Sequence, residues 1–506
     1  MHDDFFRLAA SQGEGSEFIL PPPPLGLKWS KNIWANQRGN WIALYRPLNL
    51  GLVFFAKAAL QELFNNGALD NQDIVQKLIA EKFLQRYEEK LDEIDHRHLV
   101  ETARSGRFRF ICILPTTSCN LACAYCHQRV PESKARSMTL DEIEQGLQKC
   151  ASLCTDLTKP VDILLYGGEP LQAFPITERV LQLTRTNKGL FKQPVRISFT
   201  TSGFHLLPKQ ADLLAAHDVF VIVSIDGPPE CQDRIRPSLG GGSSFEMAAA
   251  AFDALKARGC RVGLSVTIGE HNIRQLSEYL EFLLDRFQPN DIGLNAFLHR
   301  RGEHVNPYQV ASGEAFDAFI RGFNVTRRYG VYAEQPFRRL KPFVFRKPLL
   351  KDCSAPGERL VLAPGRVMGF CDSCFPDQHY YYSFDNFPDE NHPDFWSWVS
   401  LSSPEMPVCR SCPVMTVCGG ACRYDAFKAS GSLDGVDELR CDFERAFLNW
   451  MIWELFAKLD CANEPYCFPE DHQRKMLLGN VALMEENQPF TAGSYGQTEE
   501  HTPTRP

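Results

Sequence analysis

FRFICILPTTSCNLACAYCHQ, residues Phe108 to Gln128, joins two patterns. Its first part, FRFICILP, is a run of aromatic and β-branched residues, the composition of a strand buried on both faces. Its second part spaces three cysteines C-x3-C-x2-C, at Cys119, Cys123 and Cys126. A strand that runs straight into a loop of soft ligands places metal chemistry at the strand's C-terminal end. Three thiolates are one fewer than a closed zinc site or a simple iron–sulfur site takes. Either His127 or a distant cysteine completes a zinc site, or one metal position stays open for a small molecule.

Downstream the strand pattern recurs as VDILLYG, VRISFTTSG, VFVIVSIDG, RVGLSVTIG and DIGLNAF. Helical runs separate these strands, among them TLDEIEQGLQKCASL, PKQADLLAAH, SFEMAAAAFDALKARG and NIRQLSEYLEFLLDRF. Six βα units predict an α/β fold, a parallel sheet curled into a partial (β/α)6 TIM-like barrel over residues 108–300. In such barrels chemistry sits at the C-terminal strand ends. The polar motifs fall there: Tyr166-Gly167-Gly168-Glu169-Pro170, then Thr200-Thr201-Ser202-Gly203, then Ser224-Ile225-Asp226-Gly227, followed by Asp233, Arg234 and Arg236. Alone, the first reads equally as a strand-end turn and the last as a surface ion pair.

The chain has 506 residues, 44% hydrophobic and 23% charged, with a net charge of −8. That balance suits a soluble globular protein with no general attraction to nucleic acid or an anionic membrane. No apolar run is long enough to span a bilayer, and MHDDFFRLAA lacks the plan of a secretion signal, so a cytoplasmic location is expected. Residues 1–28 read as a loose segment ending in the linker PPPPLG. Residues 29–100 read as a small α+β domain, with a hairpin about Arg38–Gly39 and helical patterns in FFAKAALQELFNNG and NQDIVQKLIAEKFLQRYEEKL. Residues 301–352 read as a connector. Residues 353–460 read as a cysteine-rich domain ending in the helix CDFERAFLNWMIWELFAKL, whose aromatic stripe is core packing, and 485–506 as a disordered tail.

Eighteen cysteines are many for a reducing compartment, where disulfides are disfavoured and clustered thiols read as metal ligands. Eight lie between Cys353 and Cys441, and Cys409, Cys412, Cys418 and Cys422 follow C-x2-C-x5-C-x3-C. One or two zinc sites is one reading of this block. Scattered cysteines such as Cys112, Cys150, Cys231 and Cys260 read as small core hydrophobes.

The ordered set C-x3-C-x2-C, GGEP, TTSG, SIDGP and QDRIR resembles the radical S-adenosylmethionine (SAM) superfamily, with Tyr125 at the aromatic position before the third cysteine. The resemblance implies a 4Fe–4S cluster held by Cys119, Cys123 and Cys126, with the amino and carboxylate groups of SAM on its fourth iron. It implies that Gly167, Gly168 and Glu169 contact the methionyl amino group. Ser224 and Arg236 would face the carboxylate and ribose, and Thr201, Ser202 and Asp226 belong to the same cofactor surface. Many relatives have Thr-Asn-Gly where this chain has Thr201-Ser202-Gly203. Such enzymes cleave SAM reductively to a 5′-deoxyadenosyl radical that abstracts hydrogen from the substrate.

The second cysteine block resembles the SPASM domain, which implies two auxiliary 4Fe–4S clusters. One would take Cys353, Cys371 and Cys422, with Cys374 as an extra ligand; the other would take Cys409, Cys412, Cys418 and Cys441. The upstream part departs from the usual G-x4-C: Gly365 to Cys371 is one residue longer, and Gly369 to Cys374 restores the spacing formally. In the sulfatase-maturase branch an aspartate follows this cysteine as a base, which makes Asp372 a candidate catalytic residue. The resemblance implies maturation of a precursor peptide or protein, giving a carbon–carbon cyclophane-type or thioether crosslink or a related oxidised product. It also implies an electron donor such as flavodoxin or ferredoxin, and no nucleic-acid or membrane partner. An anaerobic sulfatase maturase forming formylglycine is the alternative enzyme, and a non-catalytic iron–sulfur carrier or scaffold the alternative of another class. Residues 29–100 loosely resemble the winged-helix elements that bind leader peptides.

Overall fold

The computed structural model describes residues 20–63, 72–185, 189–296, 311–461 and 464–481, with the backbone of Phe6–Arg7. The six expected strands are present: Phe110–Ile113 (β1), Val161–Leu165 (β2), Val195–Thr201 (β3), Phe220–Ser224 (β4), Val262–Ile268 (β5) and Asp291–Ala296 (β6). They pair in parallel in sequence order. Leu140–Leu153 (α1), Phe174–Arg185 (α2), Pro208–Ala216 (α3), Ser244–Lys256 (α4) and Leu276–Phe287 (α5) return the chain between them. Each buries an apolar stripe in the core it shares with the strands, as Ile143 and Leu147 of α1 and Leu280 and Leu283 of α5 do. A capping box of Thr139 and Glu142 starts α1. Because every return is a crossover, all six strands end at the same mouth.

The sheet does not stop at residue 300. Tyr332–Ala333 (β7) pairs in parallel with β6. At the opposite edge Arg359–Ala363 (β8) pairs in parallel with β1, and Val367–Gly369 (β9) and Tyr381–Ser383 (β10) follow antiparallel. Ten strands thus share one sheet among the described residues. The second cysteine block is built onto the strand that feeds the first cysteine loop. From 311 onward the expected connector is helical, as Ser312–Tyr329 (α6) and Glu334–Phe345 (α7). The C-terminal helix Glu438–Lys458 (α8) packs on α6, where Phe319 meets Phe443 at 5.1 Å and Phe447 at 5.9 Å between ring centres.

In the N-terminal region Trp34–Arg38 and Trp41–Arg46 form the expected hairpin. The helical reading of FFAKAALQELFNNG fails at its start: Phe54 and Phe55 end the strand Gly51–Ala56, and the helix covers Lys57–Glu62. This strand is apolar at consecutive positions because both its faces are covered. Phe54 joins the main core against Phe456 (4.9 Å), while Phe55 joins a separate cluster with Ile42, Leu44 and Val53. The next helical run is likewise broken, into the helix Gln72–Ala80 and the strand Leu84–Arg86, which pairs with Leu27–Trp29. The end of the expected loose segment is therefore held, and Trp29 Nε1 donates to the Pro21 carbonyl at 2.9 Å.

Cys112, Cys150, Cys231 and Cys260 are buried and free. Against the expectation for disulfides, Cys461 and Cys467 are bonded. No helix of the described residues is long and apolar enough to cross a membrane. The expected tail, 485–506, lies outside the described residues, as do 297–310.

Candidate active site

The cysteine loop is seated on two strand-end motifs. Gly168 and Glu169 donate their amides to the carbonyls of Thr116 (2.9 Å) and Ser118 (2.8 Å), just ahead of Cys119. A Cβ at Gly168 would lie 2.1 Å from the Ser118 oxygen, and Gly167 has φ of +115°. The two glycines therefore let the cysteine loop lie directly against the end of β2. Gly168→Ala is expected to displace that loop, since the obstructing atom is backbone. 5′-Deoxyadenosine formation should fall by about tenfold or more, with loss of iron–sulfur absorbance on reconstitution. Unchanged turnover would contradict this seating.

The far side of the loop rests on the segment after β4. Ala122 and Ala124 donate to the carbonyls of Pro237 (2.8 Å) and Ile235 (3.0 Å). Asp226 anchors this contact. It is fully buried and accepts from Arg236 Nε (2.9 Å) and Nη2 (3.1 Å), from the Thr267 amide (2.8 Å) and from the Tyr125 hydroxyl. Burial opposes its charge, but Arg236 and these donors together hold its carboxyl below the usual range. Gln232, which the sequence reading quoted in QDRIR without giving it a role, ties the same turn: its amide oxygen accepts from Asp226 N (2.8 Å) and its Nε2 donates to the Ser224 carbonyl (3.1 Å). A buried glutamine in a short helix carries no sequence signal for such a role.

Glu169 is buried and saturated. Thr201 Oγ1 (2.7 Å) and the Leu171 amide (3.1 Å) donate to one oxygen, and the Ser202 amide (2.8 Å) and hydroxyl (2.6 Å) to the other. Burial raises its pKa and the four donors oppose that rise. Serine thus engages Glu169 from the position where Thr-Asn-Gly was expected.

These residues line one cavity of about 520 Å³ with Cys119, Cys123, Cys126, Ser224, Arg236 and Asp372. Burial pushes the Cys119 thiol up to about 12 and the Cys123 thiol to about 11, and each of the two feels the Cys126 sulfur. Three thiols on one short loop at the mouth of the cavity are soft donors, and this donor set fits a metal cluster. Among the described residues no three His, Cys, Asp or Glu side chains gather around a single-ion position. His127 Nε2 instead lies 3.3 Å from Gln128 Nε2 and from Ser373 Oγ.

The other cysteines fall into two groups. The Cys371 thiol is pushed up by Cys374 beside it, and Cys353 and Cys422 both feel the Cys371 sulfur. Separately, Cys441 feels Cys412 and Cys409, and Cys418 feels Cys409. Burial raises the thiols of Cys353 and Cys409 to about 11 and that of Cys441 to about 12. Cys422 reaches the same cavity as the first loop. Asp372 is ion-paired with Arg359 at 2.5 Å, and its carbonyl accepts from Gln128 Nε2 at 3.1 Å. A charged wall that the sequence reading passed over comes from α7 and α8. There Arg339 meets Asp352 at 2.8 Å and Glu444 at 2.9 Å.

Residues 113–283 match the model of the radical SAM superfamily. The chain is 20% identical over 440 residues to the radical SAM cyclopropyl synthase TigE of Paramaledivibacter caminithermalis, covering 81% of this chain and 89% of that one. It is 28% identical over 200 residues to pre-heme d1 synthase of Dinoroseobacter shibae, of which it spans 45%, less than half its length. Its fold is similar to that of native anSMEcpe with bound AdoMet and Kp18Cys peptide, at 16% identity and a TM-score of 0.59, over 69% of this chain and 98% of that one. Residues 113–283 thus match the radical SAM superfamily, and the chain resembles radical SAM maturases over most of its length.

Proposed function

We propose that this enzyme matures a ribosomally made peptide, converting one of its residues to an oxidised, crosslinked or related product. One observation carries the reading: a single cavity of about 520 Å³ runs from the three-cysteine loop to Cys422 and Asp425 of the second block. Its size is in the range of sites that enclose a cofactor or ligand. The likeness to TigE, which extends over 81% of the chain, supports a role for the second block as well as the barrel.

Cys119, Cys123 and Cys126 would hold a 4Fe–4S cluster. With SAM bound, that centre supplies reductive cleavage to a 5′-deoxyadenosyl radical. The chain's own residues position and exclude. Gly167, Gly168 and Glu169 present the end of β2 to the methionyl amino group. Thr201 and Ser202 hold the Glu169 carboxylate in place. Ser224 faces the cavity, while Arg236, committed to Asp226, acts as a positioning residue for Tyr125 and the loop. Cys353, Cys371, Cys374 and Cys422 would hold one auxiliary cluster and Cys409, Cys412, Cys418 and Cys441 the other, exchanging electrons with a flavodoxin or ferredoxin. Asp372 is our candidate base, and Arg359 holds its carboxylate in an ion pair at the rim of the cavity. Among the described residues of the N-terminal sheet, Phe6–Arg7 pairs with the outer edge of Trp34–Arg38 at Ala35 and Trp34. We assign the remaining edge to a leader peptide added as a strand. The reading places the enzyme in the cytoplasm, with no nucleic-acid or membrane partner.

The test is anaerobic co-expression with a short peptide encoded beside this chain, followed by mass spectrometry. Loss of hydrogens at a mapped residue is expected. Formylglycine in a neighbouring sulfatase would favour the alternative, and absence of SAM cleavage in reduced, reconstituted protein would refute both. Cys441→Ala should retain SAM cleavage while product falls by about tenfold or more. An unchanged product yield would sink the ligand role of Cys441.

A further inference from the structure

The floor of the barrel cavity holds two carboxylates that the reading above leaves unused. Asp291 opens β6 and Glu334 opens α7, and the pairing of Asp291 with Tyr332 brings the two strand ends together. Along β6 the alternate residues Asp291, Gly293 and Asn295 line the cavity. Gly293 leaves the middle of this wall open, and a Cβ there would meet nothing nearer than 3.4 Å. On the next strand Gly263 makes room for the acid, since a Cβ at 263 would lie 2.1 Å from Asp291 Oδ1. Above, Asn295 and Gln335 are committed to each other at 2.5 Å.

Asp291 is 4% exposed and Glu334 5%; Asp291 Oδ2 has no hydrogen-bond partner, while Glu334 Oε1 is ion-paired with Arg338. Arg338 Nε lies 3.5 Å from Glu334, but the same guanidinium also donates to the Asp352 carbonyl at 3.0 Å. Asp291 makes no ion pair among the described residues. Burial and the neighbouring Glu334 push it up to about 8. Buried polar atoms that face a cavity without a partner are rare, and they mark a place where a ligand atom is missing.

We propose that Asp291 and Glu334 form a subsite for a cationic side chain of the substrate, a lysine ammonium or an arginine guanidinium, inserted past Gly293 from the cysteine mouth. This rests on the reading of the cavity as a peptide site. Gly293 stands about 7 Å above Asp291 along the strand, a distance a long basic side chain spans. Ile222, on the same face of the sheet as Gly263, lines the cavity and supplies apolar wall for the stem. A neutral side chain without a donor would leave the Asp291 oxygen unsatisfied, and an acidic one would be repelled.

The experiment is anaerobic calorimetric titration of the reconstituted holoenzyme with SAM, using n-butylammonium, butylguanidinium, n-pentanol and butyrate as probes. One or both cations should bind, with pentanol and butyrate at least about tenfold weaker. Asp291→Asn, isosteric with the protonated acid, should weaken cation binding by about tenfold or more. Gly293→Val, which closes the approach and leaves both carboxylates, should do the same. Cation binding that is undetectable, no tighter than that of pentanol, or unchanged in Asp291→Asn overturns the subsite. If the unsubstituted holoenzyme fails to cleave SAM, the maturase reading falls on its own, because the titration still reports whether the cations bind.

Discussion

Replacing Cys119, Cys123 and Cys126 together with alanine abolishes 5′-deoxyadenosine formation while most of the iron stays bound. The first half of this expectation follows from the loop's isolation. The three thiols line the mouth of the barrel, and the eight cysteines of the second block are gathered among themselves. The second half follows from where the two blocks are anchored. The first loop hangs from Thr116, Ser118 and the 235–239 segment, whereas the second block is built on β8 to β10 and α8. With the two further clusters proposed for the second block, iron content should fall by about a third, the share of one 4Fe–4S cluster in three. Iron analysis and electron paramagnetic resonance of the reduced protein measure this directly. Complete loss of iron would refute separate sites, and residual SAM cleavage would refute the assignment of the loop.

Arg236→Ala is the single substitution expected to cost most. Removing the guanidinium strands a carboxylate that has no exposure to water, and breaking a buried pair in this way costs about 3–5 kcal/mol. The loss travels to the cysteines, because Tyr125 and the amides of Ala122 and Ala124 lean on Asp226 and its segment. Cluster loading should fall with stability. Arg236→Lys keeps a charge but loses the two-pronged contact, so it should be intermediate. The pH dependence has a definite sign. The Asp226 carboxyl is held below its ordinary value, so its contribution is present above about pH 4 and disappears as pH falls through the folded value. In Arg236→Ala the largest influence opposing burial is gone, so the protonated acid is favoured relative to the unsubstituted protein even though the Thr267 amide and Tyr125 hydroxyl remain. The stability deficit of the variant, measured by urea unfolding, should shrink between pH 7 and pH 4. A deficit that is constant with pH would show that the pair is not the cause.

The barrel was legible because its signals are local. FICI, VDILL and FVIVS are continuous apolar runs, which only strands covered on both faces need, and the amphipathic helices between them repeat at helical period. The same rule misled at Phe54 and Phe55. Two adjacent buried aromatics fit a helix's apolar stripe as well as a strand between two cores, and what decides is the pairing of Phe54 and Phe55 with Ala43 and Ile42. The helices of 312–345 were missed for a related reason. Their polar residues Glu334, Arg338 and Arg339 face one another inside the protein, so charge there signals a buried network, not a solvated connector.

By itself the sequence determined the three-cysteine loop, its place after the first strand and the polar ends of the next three strands. Each of these is written in residues adjacent in the chain. Only the tertiary structure decided what those ends do. The Gly167-Gly168 turn supports the cysteine loop through its backbone, Asp226 and Arg236 clamp its other side, and Glu169 closes on Thr201 and Ser202. It also decided that the second block joins the barrel sheet through β8, which brings Cys422 to the same cavity as Cys126. The physical reason is one of range. Apolar periodicity is carried by neighbours in sequence, whereas a buried carboxylate or a strand edge takes whichever partner the folded chain brings within hydrogen-bonding distance.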